Sequence, residues 1–264
     1  MLSTFQGYPP CWVMVNFMAK AGTNKGSKPD PLHVPLGELR GSVHEDDFRP
    51  SWRGWIHTGV LPFVIAAGIL LIIFSDGWQT KVASAVYLAG SFLLFGGSAL
   101  YHRFRWGQTT KRILKRIDHA NIFLLIAGTY TPLTVAALPS DKGWFLLLLV
   151  WSIAIVGIGF RLIWVSAPRW LYVPIYVLMG WAAVIYIVDL WNANWIMMTL
   201  IAFGGVAYTV GAVIYGMKRP NPIPNHFGFH EIFHALTVVA FISQWVGALL
   251  VVVDPIPGSI GANS

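Results

Sequence analysis

The sequence predicts an all-α integral membrane protein, built as a bundle of seven transmembrane helices. Two observations predict this fold class. The 264 residues are 56% hydrophobic and only 11% charged, whereas about a quarter of the residues in a soluble domain are charged. From Trp55 onward, apolar runs of about 20 residues follow one another, and this is the length that spans hydrocarbon as a helix. Because lipid offers the backbone no hydrogen-bond partners, each run is expected to be helical.

The first 52 residues differ from the rest of the chain and are predicted to form a flexible tail. Their segment KAGTNKGSKPDPLHVPLGELRGSVHEDDFRP is rich in Gly, Pro and charge, a composition that does not build a packed core. The earlier apolar stretch CWVMVNFMA is too short to span a bilayer. Residues 53–264 are therefore predicted to form the membrane domain.

Seven apolar runs of the membrane domain are predicted to be its spans. Short polar breaks such as SDGWQT, PSDKG and WNAN separate most of them, and longer breaks, RFRWGQTTKRILKR and MKRPNPIPNHFG, precede the third and the seventh. The predicted spans are, to within a few residues, 55–74, 81–102, 117–138, 143–163, 170–189, 194–216 and 229–253.

The basic residues predict the orientation of the bundle. All but two of the 18 Lys and Arg residues lie in the tail or in the breaks after the second, fourth and sixth spans, and only Lys81 and Lys142 lie on the other side. The positive-inside rule therefore places the N-terminus in the cytoplasm and the C-terminus outside the cell membrane. A G-protein-coupled receptor is disfavoured because it has the opposite orientation. Topology also explains the net charge of +7, so nucleic-acid binding is not expected.

Histidines from separate spans are expected to meet at the cytoplasmic end of the bundle. His102 ends the second span, while His230 and His234 begin the seventh. Residues four apart share a helix face, so the last two can hold one ion between them. Catalytic zinc sites often combine three protein ligands with one water, which makes these histidines candidate Zn²⁺ ligands. Since Cys11 is the one cysteine, a cysteine-rich metal site is excluded.

Two further polar residues are expected at the same depth, and His57 lies there as well. Asp118 begins the third span and could hold or deprotonate the water, whereas Ser98 shares the helix face of His102. Each histidine could instead be an ordinary interfacial residue at a helix end, and Ser98 could simply pack between helices. Ionisable groups in several spans at one depth favour the metal site, because such groups are costly in a membrane.

The stretch HEIFH also matches the H-E-x-x-H pattern of zinc proteases. The only acid after Glu231 is Asp254, which lies about 30 Å beyond His234 along a continuous helix and cannot be the third ligand. Asp118 could be that ligand in a membrane-embedded protease, but His102 would then have no role. Glu231 is expected to point about 100° away from His230. Its expected roles are, in order, a partner that supports the ligands, a cytoplasmic surface residue, and an acid–base group.

Four segments resemble the hemolysin III family, which belongs with the progestin and adipoQ receptors and so with the adiponectin receptors. The segments are RGWIH, GSALYHRF, RIDHANIFLLIAGTYTP and HEIFHAL, and the resemblance extends from about Arg53 to Val253. It implies seven transmembrane helices, a cytoplasmic N-terminus and a zinc ion near the cytoplasmic face. The implied ligands are the three histidines named above, Asp118 would contact the water, and Ser98 belongs to the family pattern.

The related superfamily includes alkaline ceramidases, so the resemblance implies a zinc-dependent hydrolase that acts on an amide or ester bond of a membrane lipid. Asp118 would then be the base that also orients the water, and Ser98 could donate a hydrogen bond to the developing oxyanion. Two other functions stay open. One is a pore-forming or cytolytic protein, as the family name suggests, and the other is a receptor-like signalling protein with structural zinc.

Overall fold

The computed structural model describes residues 52–164 and 166–263, which form a bundle of α-helices. Apart from Trp52, the predicted flexible tail lies outside the described residues. A 3₁₀ segment, Ala182–Tyr186, joins the fifth and sixth helices, and a short 3₁₀ turn, Gly261–Asn263, follows the last. The helices are α1 Trp55–Phe74, α2 Trp78–Arg103, α3 Gln108–Ala137, α4 Ser140–Ile163, α5 Arg169–Gly180, α6 Ile187–Ala193, α7 Trp195–Met217 and α8 Phe229–Val252.

Seven helical segments are long and apolar enough to cross a membrane. Six are the single helices α1 to α4, α7 and α8, and the other is the interrupted segment Arg169–Ala193. The prediction of an all-helical bundle with seven such segments is confirmed. Its orientation in the membrane stays a prediction.

Helix α3 lies at the centre of the bundle. Most of its apolar stretch is buried, in contrast to the other six segments, and it packs against α2, α4, α5 and α8. Glycines permit its close approach to α2 and α4, as small residues do between membrane helices. A methyl group at Gly90 would lie 2.8 Å from the Leu124 carbonyl oxygen, and one at Gly157 would lie 2.3 Å from the Phe123 ring.

The third helix begins nine residues before the predicted third span. The stretch QTTKRILKR, interpreted as part of a polar break, forms the first turns of α3. Hydropathy reports where a helix leaves hydrocarbon, whereas Lys, Arg and Gln are good helix formers that extend it into the polar layer. The chain therefore continues as one helix past the predicted boundary.

The fifth segment is interrupted at a point that its hydropathy does not reveal. Helix α5 ends at Gly180, and five residues of 3₁₀ helix precede α6. The hydroxyl of Tyr130, on α3, donates to the Gly180 carbonyl and accepts from the Ala183 N–H, both at 2.8 Å. These bonds satisfy backbone groups that the break removes from the helical ladder, which lipid could not do.

Candidate metal centre

Three histidines converge at the end of the bundle where α2 ends and α8 begins, here called the histidine end. The Nε2 atoms of His102 and His230 are 3.2 Å apart. One ligand nitrogen from each of these residues and from His234 lies within 4.8 Å of the other two. His234 is 3% exposed and His102 is 8% exposed. The structure therefore brings together the three histidines that the sequence singled out.

The distance between the His102 and His230 nitrogens fits two ligands of one tetrahedral metal ion. Zinc bonds to imidazole at about 2.0–2.1 Å, so two nitrogens on one tetrahedral ion lie roughly 3.3 Å apart. A hydrogen bond between His102 and His230 would give a similar distance, but it does not explain why the third imidazole converges on the same point. Within 52–164 and 166–263 these residues form the one cluster of three or more His, Cys, Asp or Glu side chains with such spacing.

A carboxylate and a hydroxyl lie beside the histidines. Asp118 Oδ2 is 3.9 Å from His102 Nε2, and the Ser98 hydroxyl lies within hydrogen-bonding reach of the Asp118 carboxylate. Ser98 is buried, whereas Asp118 is half-buried. All five predicted site residues thus lie at one level of the bundle. Their roles as metal ligands and catalytic groups stay predictions.

Glu231 points away from the three histidines, as its position on the helix predicted, and it is buried. Its Oε1 accepts a 2.9 Å hydrogen bond from Arg53 Nε, and its Oε2 accepts one of 2.9 Å from the Gly228 N–H at the start of α8. The alternative of a cytoplasmic surface residue is therefore wrong, because the side chain is 1% exposed. With both oxygens engaged, the role that fits is support of the helix that carries His230 and His234.

His57 lies beside the three histidines, although the sequence analysis predicted only its depth and no role for it. Its ring stacks on that of His234, with centroids 3.9 Å apart and planes 7° from parallel. The edge of Phe95 packs against it with a centroid distance of 4.9 Å. The segment RGWIH carried the available signal, but one histidine in an apolar run does not reveal which ring it will contact.

The bundle fixes the rotation of α8 and so the direction of its two histidines. Phe241 packs against Tyr87 and Phe95 of α2, with ring centroids 5.7 Å and 5.2 Å away. Trp245 Nε1 donates to the Ala67 carbonyl of α1 at 2.8 Å. Because these contacts lie along one face of α8, the same face carries His234 towards α1 and α2.

A family model described as "Haemolysin-III related" matches residues 47–245, a range that contains all five predicted site residues. The chain belongs to the hemolysin III family. It is 34% identical over 178 residues to the "Hemolysin-3 homolog" of Bacillus subtilis (strain 168), covering 66% of this chain and 80% of that protein. It is 36% identical over 155 residues to the "Hemolysin-3" of Bacillus cereus, covering 57% and 70%.

A more distant similarity extends beyond the bacterial proteins. The chain is 23% identical over 189 residues to the "Monocyte to macrophage differentiation factor" of Homo sapiens, covering 69% of this chain and 74% of that protein. The family match and the seven apolar helices together establish a multi-pass hemolysin III membrane protein.

Proposed function

We propose that this hemolysin III protein is a zinc-dependent hydrolase of an amide or ester bond in a membrane lipid, with its site near the cytoplasmic face. The observation that carries the proposal is the convergence of three imidazoles, a carboxylate and a hydroxyl on one level of a membrane bundle. Three neutral donors with an acid beside them are typical of a catalytic zinc site.

His102, His230 and His234 would hold the zinc ion. When bound, zinc acts as a Lewis acid on a carbonyl oxygen and makes water a better nucleophile at neutral pH. Asp118 accepts the proton of a water that enters beside His102, and it later returns that proton to the leaving group. Its oxygen lies close enough to the histidines to act at the same point.

Ser98 could orient the Asp118 carboxylate or stabilise an oxyanion, but it has one hydroxyl proton. Its hydroxyl lies within hydrogen-bonding reach of Asp118, which supports a role in orienting the carboxylate. A serine has a single O–H donor, so it can stabilise an oxyanion only after releasing Asp118. The resting geometry therefore favours orientation of the base as the main role of Ser98.

The lipid assignment is supported by the surface of the bundle. Large apolar side chains cover its outside, among them Phe74, Leu148, Val156 and Val188, each more than half exposed. A bundle immersed in lipid has its substrate at high local concentration. A site at a helix end is reached by a lipid's polar linkage while the acyl chains stay in hydrocarbon.

The experiment that tests this function measures hydrolysis by purified protein in lipid nanodiscs that contain a ceramide and a panel of acyl esters. We expect turnover by the zinc-loaded wild type and a loss of about 100-fold or more in Asp118→Asn, the size of a general-base effect. Zinc content, measured by elemental analysis, is expected to be unchanged in this variant. The absence of turnover by zinc-loaded wild type on the whole panel would contradict the proposal.

The second candidate function is cytolysis, which the printed names of the two Bacillus relatives favour. Leakage of dye from liposomes, measured with and without a chelator, separates it from hydrolysis. Leakage without lipid turnover would favour a cytolysin. Loss of thermal stability on chelation, with neither leakage nor turnover, would favour a receptor-like protein with structural zinc.

A further inference from the structure

A second cluster of cationic and aromatic side chains lies beside the metal centre, at the histidine end of α4, α5 and α7. Arg161, near the end of α4, stacks its guanidinium over the Tyr172 ring at 4.2 Å. Arg169, at the start of α5, stacks over the Tyr215 ring at 4.4 Å and donates to the Tyr215 carbonyl at 2.8 Å. The two arginines therefore rest on two tyrosines from neighbouring helices.

His119, on α3, links the two stacked pairs. The Tyr215 hydroxyl lies 3.4 Å from His119 Nε2, and the Tyr172 ring packs against the His119 ring with a centroid distance of 5.9 Å. The two arginines thus lie on either side of one histidine, which neighbours Asp118 in the chain.

No carboxylate neutralises these cations within the part of the chain that the structure describes. The ion pairs found there join Arg53 to Glu231, His102 to Asp118 and Lys142 to Asp189.

Among the described cations, Arg161 is the one for which the lack of a neighbouring carboxylate is most costly. It is 1% exposed. Among the described residues its Nε has no hydrogen-bond partner, and the one hydrogen bond of its side chain there is a long contact of 3.4 Å to the Trp164 carbonyl. A buried guanidinium has five N–H donors and demands an anion or an equivalent set of acceptors. The cluster therefore has the chemistry of an anion site.

The seam between α4 and α5 leads from this cluster to the surrounding lipid. These two helices have few contacts with each other, because α4 packs mainly on α3 and α5 packs mainly on α7. Beside the arginines, Ile163 is 85% exposed and Trp170 is 74% exposed. A lipid can thus lie along the seam with its acyl chains against apolar surface and its headgroup at the level of the arginines.

We propose that the seam between α4 and α5 binds an anionic phospholipid whose phosphate is held by the half-buried Arg169, while the buried Arg161 adds a second positive charge behind it. Guanidinium groups bind phosphate through paired N–H donors in a fixed fork, which gives a stronger and more directional contact than a lysine does. The site is distinct from the three histidines and does not depend on whether they support hydrolysis.

The experiment compares lipid binding by the full chain in detergent, with phosphatidylglycerol, phosphatidylcholine or inorganic phosphate added. Native mass spectrometry counts bound lipid, and thermal unfolding reports the stabilisation that a bound ligand confers. We expect phosphatidylglycerol to bind about tenfold more tightly than phosphatidylcholine to the wild type, as charge-assisted hydrogen bonds provide. Inorganic phosphate is expected to stabilise the protein much less, because it lacks the acyl chains.

Matched variants assign this preference to the seam. Arg169→Gln removes a half-buried charge, and Arg161→Lys keeps the charge of the buried residue but not its fork, so both are chosen to preserve folding. Arg169→Gln is expected to lose most of the preference for phosphatidylglycerol, whereas Arg161→Lys, which keeps the second positive charge, is expected to retain most of it. Arg103→Gln is the control, because Arg103 also stacks on an aromatic ring, Trp55, at 4.2 Å.

Three outcomes would overturn the proposal. The first is equal binding of the two lipids by the wild type, and the second is an equal loss of preference in Arg103→Gln. The third is a stabilisation by inorganic phosphate as large as that by lipid, which would assign the site to a soluble phosphate.

Discussion

The stacking of His57 on His234 is a contact by which one side chain would hold the proposed metal ligand without touching the ion. The two planes are nearly parallel at 3.9 Å, so the His57 ring restricts rotation of the His234 ring. A ligand held in its binding orientation loses less conformational freedom when the ion arrives. Groups that orient ligands in this way typically change metal affinity by about 10–100-fold.

We therefore predict that His57→Ala weakens zinc binding by about tenfold, whereas His57→Phe, which keeps a ring in the stack, retains most of the affinity. Competition with a chromogenic chelator measures both. His234→Ala is expected to abolish binding and sets the lower limit. Equal affinities in the wild type and His57→Ala would contradict the prediction.

The convergence of the three histidines could be predicted from the sequence because helical spacing and depth are both readable from one chain. The pair His230 and His234 follows from a spacing of four, and His102 follows from its place at the end of an apolar run. The contact of His57 and the buried bond of Glu231 to Arg53 could not be predicted, because they depend on the rotation of α1 against α8. Hydropathy does not encode that rotation.

At the scale of the element, Glu231 and Arg53 fix the first turn of α8. The carboxylate caps the helix through Gly228 N–H and binds a guanidinium that precedes α1. An isolated cap is worth about 1 kcal/mol. Removing one partner of a buried ion pair costs more, because the remaining charge stays uncompensated.

We predict that Glu231→Gln lowers the free energy of unfolding by about 2 kcal/mol, since Arg53 is left near the buried amide without its counter-charge. The double variant with Arg53→Gln is expected to recover part of the loss, as a double-mutant cycle would measure in a detergent unfolding titration. Asp189→Asn, which breaks the more exposed pair with Lys142, is expected to cost less than about 1 kcal/mol. Additive effects of Glu231→Gln and Arg53→Gln would contradict the prediction.

Six of the seven membrane segments could be predicted from the sequence as unbroken helices, and the fifth could not. Six apolar runs correspond to single helices because a bilayer requires an unbroken ladder of backbone bonds. The fifth run is interrupted at Gly180, and Tyr130 of another helix supplies the missing partners. Such a break depends on a contact between two helices, so the hydropathy profile of a single segment cannot reveal it.

At the scale of the whole molecule, the helix bundle by itself does not determine which of its ends faces the cytoplasm. The basic residues predict a cytoplasmic N-terminus, and the chain offers a direct test because Cys11 is its one cysteine. We predict that a membrane-impermeant thiol reagent labels Cys11 only after cells are permeabilised.

The matched control places a thiol at the end of the bundle opposite the histidine end. Asp141 is exposed near the start of α4, and Asp141→Cys in a Cys11→Ser background is expected to be labelled in intact cells. Labelling of Cys11 in intact cells would reverse the predicted orientation, and with it the proposed cytoplasmic location of the metal centre.

The length of α3 bears on the depth of the proposed site. From Asp118 to its end at Ala137, the helix rises about 30 Å, which matches the thickness of a bilayer's hydrocarbon. If this part fills the hydrocarbon, the ten residues before Asp118, with Lys111 and Lys115 among them, extend into the polar layer. Asp118 would then lie at the boundary where acyl chains join their headgroups through ester and amide carbonyls. In the proposed hydrolase, a lipid in the leaflet would present its cleavable bond at that depth without leaving the bilayer.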